Sequence, residues 1–116
     1  MAIDMEQFRQ VYLEESFEGL EIMESGLLEL DPGKADSEEI NTIFRAAHSI
    51  KGGSATFGFK EVTGFTHIME TLLDQMRSDE REVTPAIVDL LLRSVDCLHE
   101  MFVDLKAGDA INQSRV

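Results

Sequence analysis

Apolar residues recur at intervals of three and four positions along most of the chain, and this spacing predicts amphipathic helices. Four such stretches are separated by short polar segments. No run of alternating β-branched residues indicates a strand, so we predict an all-α protein. The four predicted apolar faces, in chain order, consist of Phe8, Val11, Tyr12, Leu20, Met23, Leu27 and Leu30; Ile40, Ile43, Phe44, Ala47 and Ile50; Val62, Phe65, Met69, Leu72, Leu73 and Met76; and Ile87, Leu90, Leu91, Leu98, Met101, Phe102 and Leu105.

Residues that favour helix ends lie between these stretches. The start signals are acidic residues followed three positions later by Gln or Glu, as in a capping box, and a threonine followed by proline. They lie at Asp4 with Gln7, at Asp36 with Glu39, and at Thr84 with Pro85. The stop signals are turn residues and glycines, at Asp31-Pro32-Gly33-Lys34, at Gly58 and at Gly108.

These signals define the domain. We predict a first helix that ends near Leu30 and a third helix from about Lys60 to Arg77. Because the connections are short, consecutive helices should be antiparallel, which gives an up-down-up-down four-helix bundle. We assign the bundle to residues 1–108 and residues 109–116 to a tail.

Charge narrows the choice of partners. The 116 residues include 23 acidic and 10 basic side chains, a formal net charge of −13. Nucleic acids and anionic membrane surfaces would repel such a chain, so we expect partners with basic patches. No apolar run approaches the ~20 residues of a membrane span, and residues 1–6 lack the pattern of a signal peptide. The one cysteine, Cys97, fits a reducing compartment, and we expect a cytoplasmic protein.

The second predicted helix contains two adjacent glycines, Gly52 and Gly53. Each costs about 0.8–1.0 kcal/mol relative to alanine inside a helix, which indicates that bare backbone is needed there. At about 100° per residue, Arg45, His48 and Gly52 project along one line at the edge of the apolar face. We therefore predict that a large partner approaches His48 over Arg45, Gly52 and Gly53, with Lys51 close by.

This arrangement suits phosphoryl transfer. A neutral imidazole is nucleophilic at one nitrogen when the other holds the proton, so an acceptor must hold that proton. Glu70 could accept from Nδ1 of His48, and Lys51 could balance phosphate charge, provided that the second and third helices are neighbours. His67 precedes Glu70 by three residues and would lie on the same helix face. An open surface would let other proteins close over the phosphoryl group.

Residues 44–59, FRAAHSIKGGSATFGF, resemble the phosphorylation-site helix of the histidine phosphotransfer (HPt) domain of CheA-type chemotaxis kinases. A second matching block is Thr66–Glu70, followed by Leu72–Asp74, and the resemblance covers about residues 4–107. The family has a fifth helix, which this resemblance implies is largely missing here. It also implies that the matching histidine, lysine and glutamate act as just described.

The resemblance further implies which partners the domain meets. A separate kinase catalytic domain of a dimeric parent protein would phosphorylate His48. Response regulators, namely a single-domain motor-control protein and a receptor methylesterase, would receive the phosphoryl group on an aspartate. We expect ATP and magnesium to be supplied by these partners and the isolated domain to be a monomer.

Other functions have weaker support. Residues 53–61 nearly match a phosphate-binding P-loop, but Phe59 and Glu61 stand where its lysine and its magnesium-binding hydroxyl should be. A di-metal bundle would need two Glu-x-x-His pairs, whereas the chain has His67 and Glu70 in reversed order. We therefore expect neither a cofactor nor a metal in this domain. The alternative function is a helical protein-interaction module without chemistry.

Overall fold

The computed structural model describes residues 5–34, 36–78 and 80–107, and these form four α-helices without a strand. They are α1 (Met5–Glu29), α2 (Ser37–Thr56), α3 (Lys60–Arg77) and α4 (Pro85–Ala107). α1 packs against α2 and α4, and α2 packs most extensively against α3. The predicted all-α four-helix bundle is confirmed. The predicted cap at Asp4, the stop at Gly108, the boundary of the domain and the tail 109–116 lie outside the described residues.

The predicted helix ends at Asp36, Thr84 and Gly58 are confirmed, although the bond at Asp36 differs from that of the predicted capping box. Asp36 caps α2 by accepting a hydrogen bond from the Glu38 N–H at 2.9 Å, one residue earlier than a capping box with Glu39 requires. Thr84 Oγ1 accepts from the Ile87 N–H at 3.2 Å at the start of α4. Gly58 ends α2 at φ +74°, a left-handed conformation that only glycine adopts readily.

The bundle core departs from the predicted faces in α1 and α4. Phe8 and Val11 are 55% and 46% exposed, whereas Leu13 is buried. In α4, Leu90 is 51% exposed, whereas Val95, which was not among the predicted residues, is buried. The fully buried hydrophobic residues at the bundle centre include Met23, Leu27, Ile40, Ile43, Met69, Leu73, Leu91, Leu98, Met101 and Phe102.

The error in α1 has a physical cause. Its buried positions repeat with two residues per seven, and Ser16 occupies one of them with 2% exposure. When the buried face of α1 is assigned from large apolar residues alone, Ser16 is omitted and Phe8 and Val11 are included. None of the described helices is long and apolar enough to cross a membrane.

Candidate functional site

The predicted residues His48, Lys51 and Glu70 lie together where α2 packs against α3. Nδ1 of His48 lies 3.3 Å from Oε1 of Glu70, slightly longer than a typical N–H···O bond. The His48 side chain is 64% exposed, while Glu70 is 13% exposed. With Nδ1 turned toward the carboxylate, the imidazole presents Nε2 as its other nitrogen. The contact that we predicted on condition that α2 and α3 are neighbours is present.

Lys51 binds the same carboxylate. Its ammonium lies 3.0 Å from both Glu70 oxygens, and its hydrogen bond is directed at Oε1, the oxygen that faces His48. Oε2 is buried and remains within ion-pair distance but without a hydrogen bond of its own among the described residues. Lys51 is therefore paired with Glu70, rather than extended toward solvent. The pair places a cation against the carboxylate that faces the histidine.

The two adjacent glycines have different surroundings. A methyl group at Gly52 would meet nothing within 4 Å, so this position is open, as predicted for partner access. A methyl group at Gly53 would overlap the Tyr12 ring at Cε1 and Cδ1. Close packing of α1 on α2 therefore explains Gly53, which sequence reasoning had assigned to the partner-facing side.

Arg45 and His67, also predicted at the site, are both exposed. Within residues 5–34, 36–78 and 80–107, neither side chain makes a hydrogen bond or an ion pair. His67 lies on α3 one turn before Glu70, but the structure does not join it to the His48–Glu70–Lys51 cluster. Their predicted parts in partner approach and in the polar cluster stay predictions.

Sequence reasoning missed a second group of contacts around His48. The ring of Phe44 lies nearly parallel to the His48 imidazole, with an interplanar angle of 11° and centroids 6.1 Å apart. The guanidinium carbon of Arg77 lies 3.7 Å from the centroid of the same Phe44 ring. Arg77 comes from the end of α3. The i, i+4 spacing of Phe44 and His48 could have predicted their contact. The contact of Arg77 with Phe44 joins two helices, so no local sequence pattern predicts it.

Buried polar contacts hold α2 from beneath the site. The Tyr12 hydroxyl donates to the Ile50 carbonyl at 2.7 Å, and the Ser54 hydroxyl donates to the Lys51 carbonyl at 2.7 Å. Ser54 Oγ also lies 2.7 Å from Thr63 Oγ1 of α3. Burial raises the pKa of Tyr12 from 10.0 to about 12, and the nearby hydroxyl groups of Ser16 and Ser54 lower it in part. The turn of α2 that follows His48 is thus tied to both neighbouring helices.

The cluster suits nucleophilic chemistry at His48. A carboxylate that holds the Nδ1 proton favours the tautomer with a free electron pair on Nε2. No group of three or more metal-ligating side chains is present in the part of the chain that the structure describes. Because the His48 side chain is largely exposed, exclusion of water during a reaction would depend on a second protein.

Comparisons with known proteins identify a family model and several relatives that match most of this chain. The family model described as "Hpt domain" matches residues 7–108. The chain is 37% identical over 113 residues to the chemotaxis protein CheA of Rhizobium meliloti. The aligned region covers 97% of this chain and 15% of that protein. It is 47% identical over 100 residues to the chemotaxis protein CheA of Klebsiella aerogenes, covering 86% of this chain and 15% of that protein. The chain thus spans about 15% of the length of these relatives.

Solved structures show the same likeness. The CheA phosphotransferase domain from Thermotoga maritima superposes with a TM-score of 0.78 at 33% identity, over 85% of this chain and 94% of that one. The phosphorylated P1 domain of CheA3, solved in complex with CheY6 from R. sphaeroides, superposes with a TM-score of 0.82 at 28% identity. That match covers 90% of this chain and 84% of the other.

Proposed function

This chain belongs to the Hpt domain family, and from this premise we propose that it is a phosphocarrier domain of a chemotaxis kinase. The residue of the domain that becomes phosphorylated is His48. The observation that carries this assignment is the exposed imidazole with Nδ1 against a mostly buried carboxylate. Glu70 orients the ring and holds its proton, and Lys51 stabilises the carboxylate beside the incoming phosphoryl group. His67 supports the cluster, and Arg45 and Gly52 belong to the surface that partners cover.

The first transfer takes the γ-phosphoryl group of ATP. The lone pair on Nε2 of His48 attacks phosphorus in line with the leaving oxygen, the N–P bond forms, and ADP departs with the electrons of the broken P–O bond. The Nδ1 proton stays on the ring, which becomes positively charged. Glu70, 3.3 Å away, stabilises that charge.

The second transfer regenerates the histidine. A carboxylate oxygen of an acceptor aspartate attacks phosphorus, the N–P bond breaks, and its electrons return to Nε2. The imidazole is again neutral with its proton on Nδ1, so no proton needs to enter or leave over the whole cycle. Lys51 lies close enough to Glu70 to shift part of its interaction to the phosphoryl oxygens during either step.

The proposal specifies the partners by what each step needs. A separate kinase catalytic domain of a dimeric parent protein supplies ATP and magnesium, and response regulators supply the acceptor aspartate. The CheA3 structure, in complex with CheY6, supports a response regulator as acceptor. The motor-control regulator and the receptor methylesterase are the two regulators that we propose. We place the domain in the cytoplasm, as a monomer when it is isolated from its parent.

Radiolabelled ATP tests this function. The domain is incubated with and without a separately purified CheA-type kinase core, and the label is tested for lability in acid and stability in base. We expect label only with the core present, and none on H48Q. The matched control is H99Q, which changes another exposed histidine, on α4 and packed against Phe17. H99Q should label like the wild type.

Two results would overturn the assignment. If the wild type takes no label from a core that is active on a control substrate, the chain acts as an interaction module instead. If H48Q retains acid-labile label, the acceptor is a different residue. Circular dichroism of H48Q and H99Q shows whether each variant keeps the helical fold, so a loss of label can be separated from unfolding.

A further inference from the structure

We propose that Phe44 and Arg77 are positioning residues that fix the plane of the His48 imidazole. This inference rests on the proposed function of His48. The contact with Glu70 fixes one atom of the ring, Nδ1, but leaves the ring free to rotate about that contact. A 64% exposed side chain has few other neighbours to stop such rotation. The nearly parallel Phe44 ring, at 11°, supplies a second restraint.

Helix geometry explains why Phe44 can act in this way. Side chains of an α-helix lean toward its N-terminus, so His48 lies over the turn that contains Phe44. Two flat rings at i and i+4 can then adopt an offset, parallel arrangement, which is one of the favourable geometries of aromatic pairs. Phe44 is itself packed against the core. It therefore transfers a fixed orientation from the bundle interior to an exposed residue.

Arg77 restrains Phe44 from the other helix. Its guanidinium lies 3.7 Å from the centroid of the ring, which is contact distance for a planar cation stacked on an aromatic face. Nη1 donates to Asn41 Oδ1 at 2.7 Å, and Nε donates to Asp74 Oδ1 at 2.9 Å. With two of its nitrogen atoms bound, the guanidinium has a defined orientation above the ring.

The two clusters are related by the spacing of the helix pair. Arg77 follows Glu70 by seven residues, and Asn41 and Phe44 precede His48 and Lys51 by seven. Seven residues are two helical turns, so Arg77 contacts Asn41 and Phe44 in the way that Glu70 contacts His48 and Lys51. Arg77 is thus the next inter-helix contact beside the site, and Phe44 joins the two clusters.

Substitutions at Arg77 separate stacking from charge. R77M removes both the charge and the planar group, whereas R77K keeps the charge but cannot stack or donate in the same fork. The control R93M removes an arginine that is 78% exposed and paired with Asp89 within α4. F44L is an independent variant that removes the aromatic ring but keeps an apolar side chain.

NMR spectra of the unphosphorylated domain give a readout that does not depend on catalysis. The ring current of Phe44 shifts the His48 ring protons, and ¹⁵N shifts report which imidazole nitrogen holds the proton. We expect F44L to move the ring protons toward random-coil values and R77M and R77K to move them part of the way. R93M should leave them unchanged. Thermal unfolding of each variant shows that the fold persists.

Kinetics with the kinase core then test the consequence for transfer. We expect R77M, R77K and F44L to lower kcat on the order of 10-fold at nearly unchanged KM, because orientation is lost while docking is kept. Wild-type rates and shifts in all three folded variants would refute the positioning role. Wild-type behaviour of R77K alone would show that charge, rather than stacking, is what matters and would also refute it. Failure of the wild type to take label would instead refute the proposed function.

Discussion

The two adjacent glycines of α2 provide a sharp test of the structure because the same substitution should have opposite effects at neighbouring positions. G52A adds a methyl group that meets nothing within 4 Å. G53A adds one that overlaps the Tyr12 ring. Both changes give the helix the higher propensity of alanine, worth about 0.8–1.0 kcal/mol. Any difference between the variants therefore reports the contact with Tyr12.

The expected difference in stability between G52A and G53A follows from the contacts that Tyr12 would lose. Its ring is stacked with Phe57 at 5.4 Å between centroids, and its hydroxyl donates to the Ile50 carbonyl at 2.7 Å. Moving the ring disturbs both contacts, and inserting a methyl group into a packed region costs about 1–3 kcal/mol. We expect G52A to raise the free energy of unfolding by up to about 1 kcal/mol and G53A to lie about 1–3 kcal/mol below it.

Urea unfolding followed by circular dichroism measures this difference. With a slope of about 1–3 kcal/mol per molar urea, the two midpoints should differ by about 1 M. The Y12A background isolates the cause, since without the ring both alanine substitutions should be stabilising by similar amounts. Equal midpoints for G52A and G53A in the presence of Tyr12 would refute the close packing of α1 on α2. Phosphorylation assays on G52A then test partner access without a loss of stability.

Three further predictions concern the support of the site. K51M should lower the free energy of unfolding by about 1–3 kcal/mol, because Glu70 loses the cation bound to its carboxylate. It should also slow phosphorylation. K51R, assayed in parallel, should recover most of the stability. Burial raises the pKa of Tyr12 to about 12, above its unfolded value of 10.0. The stability linked to the protonated Tyr12 hydroxyl is therefore complete below pH 10 and is lost as the pH rises toward 12. The urea midpoints of Y12F should lack this dependence on pH. D36A should cost about 0.5–2 kcal/mol in urea unfolding through loss of the α2 cap, and D36N should recover most of it.

Most of the fold could be predicted from sequence because its signals are local. The ends of α3, the cap at Asp36 and the stop at Gly58 depend on neighbouring residues in the chain, and all are confirmed. The contact of His48 with Glu70 was predicted on condition that α2 and α3 are neighbours, and the short turn at Gly58 makes them so. The chemical roles of these residues remain predictions.

The errors arose where the answer depends on a neighbouring helix. Gly53 was assigned to partner access because nothing in α2 alone reveals that Tyr12 of α1 lies against it. Arg77 has the composition of an ordinary basic residue at a helix C-terminus, and its stacking on Phe44 is visible only in three dimensions. Phe8 and Leu90 were assigned to the buried faces of their helices by the spacing of apolar residues, but both are more than half exposed in the structure.

The placement of buried and open contacts around α2 explains how an exposed residue can be presented with a defined orientation. A phosphocarrier histidine must enter the active sites of different proteins, so it cannot be enclosed by its own domain. Its orientation has to come from beneath and from the sides. Tyr12 fixes the Ile50 carbonyl from α1, and Ser54 bridges the Lys51 carbonyl to α3 through Thr63. The open position at Gly52 then leaves the outward face of the same turn free, so rigidity and access come from opposite sides of one helix.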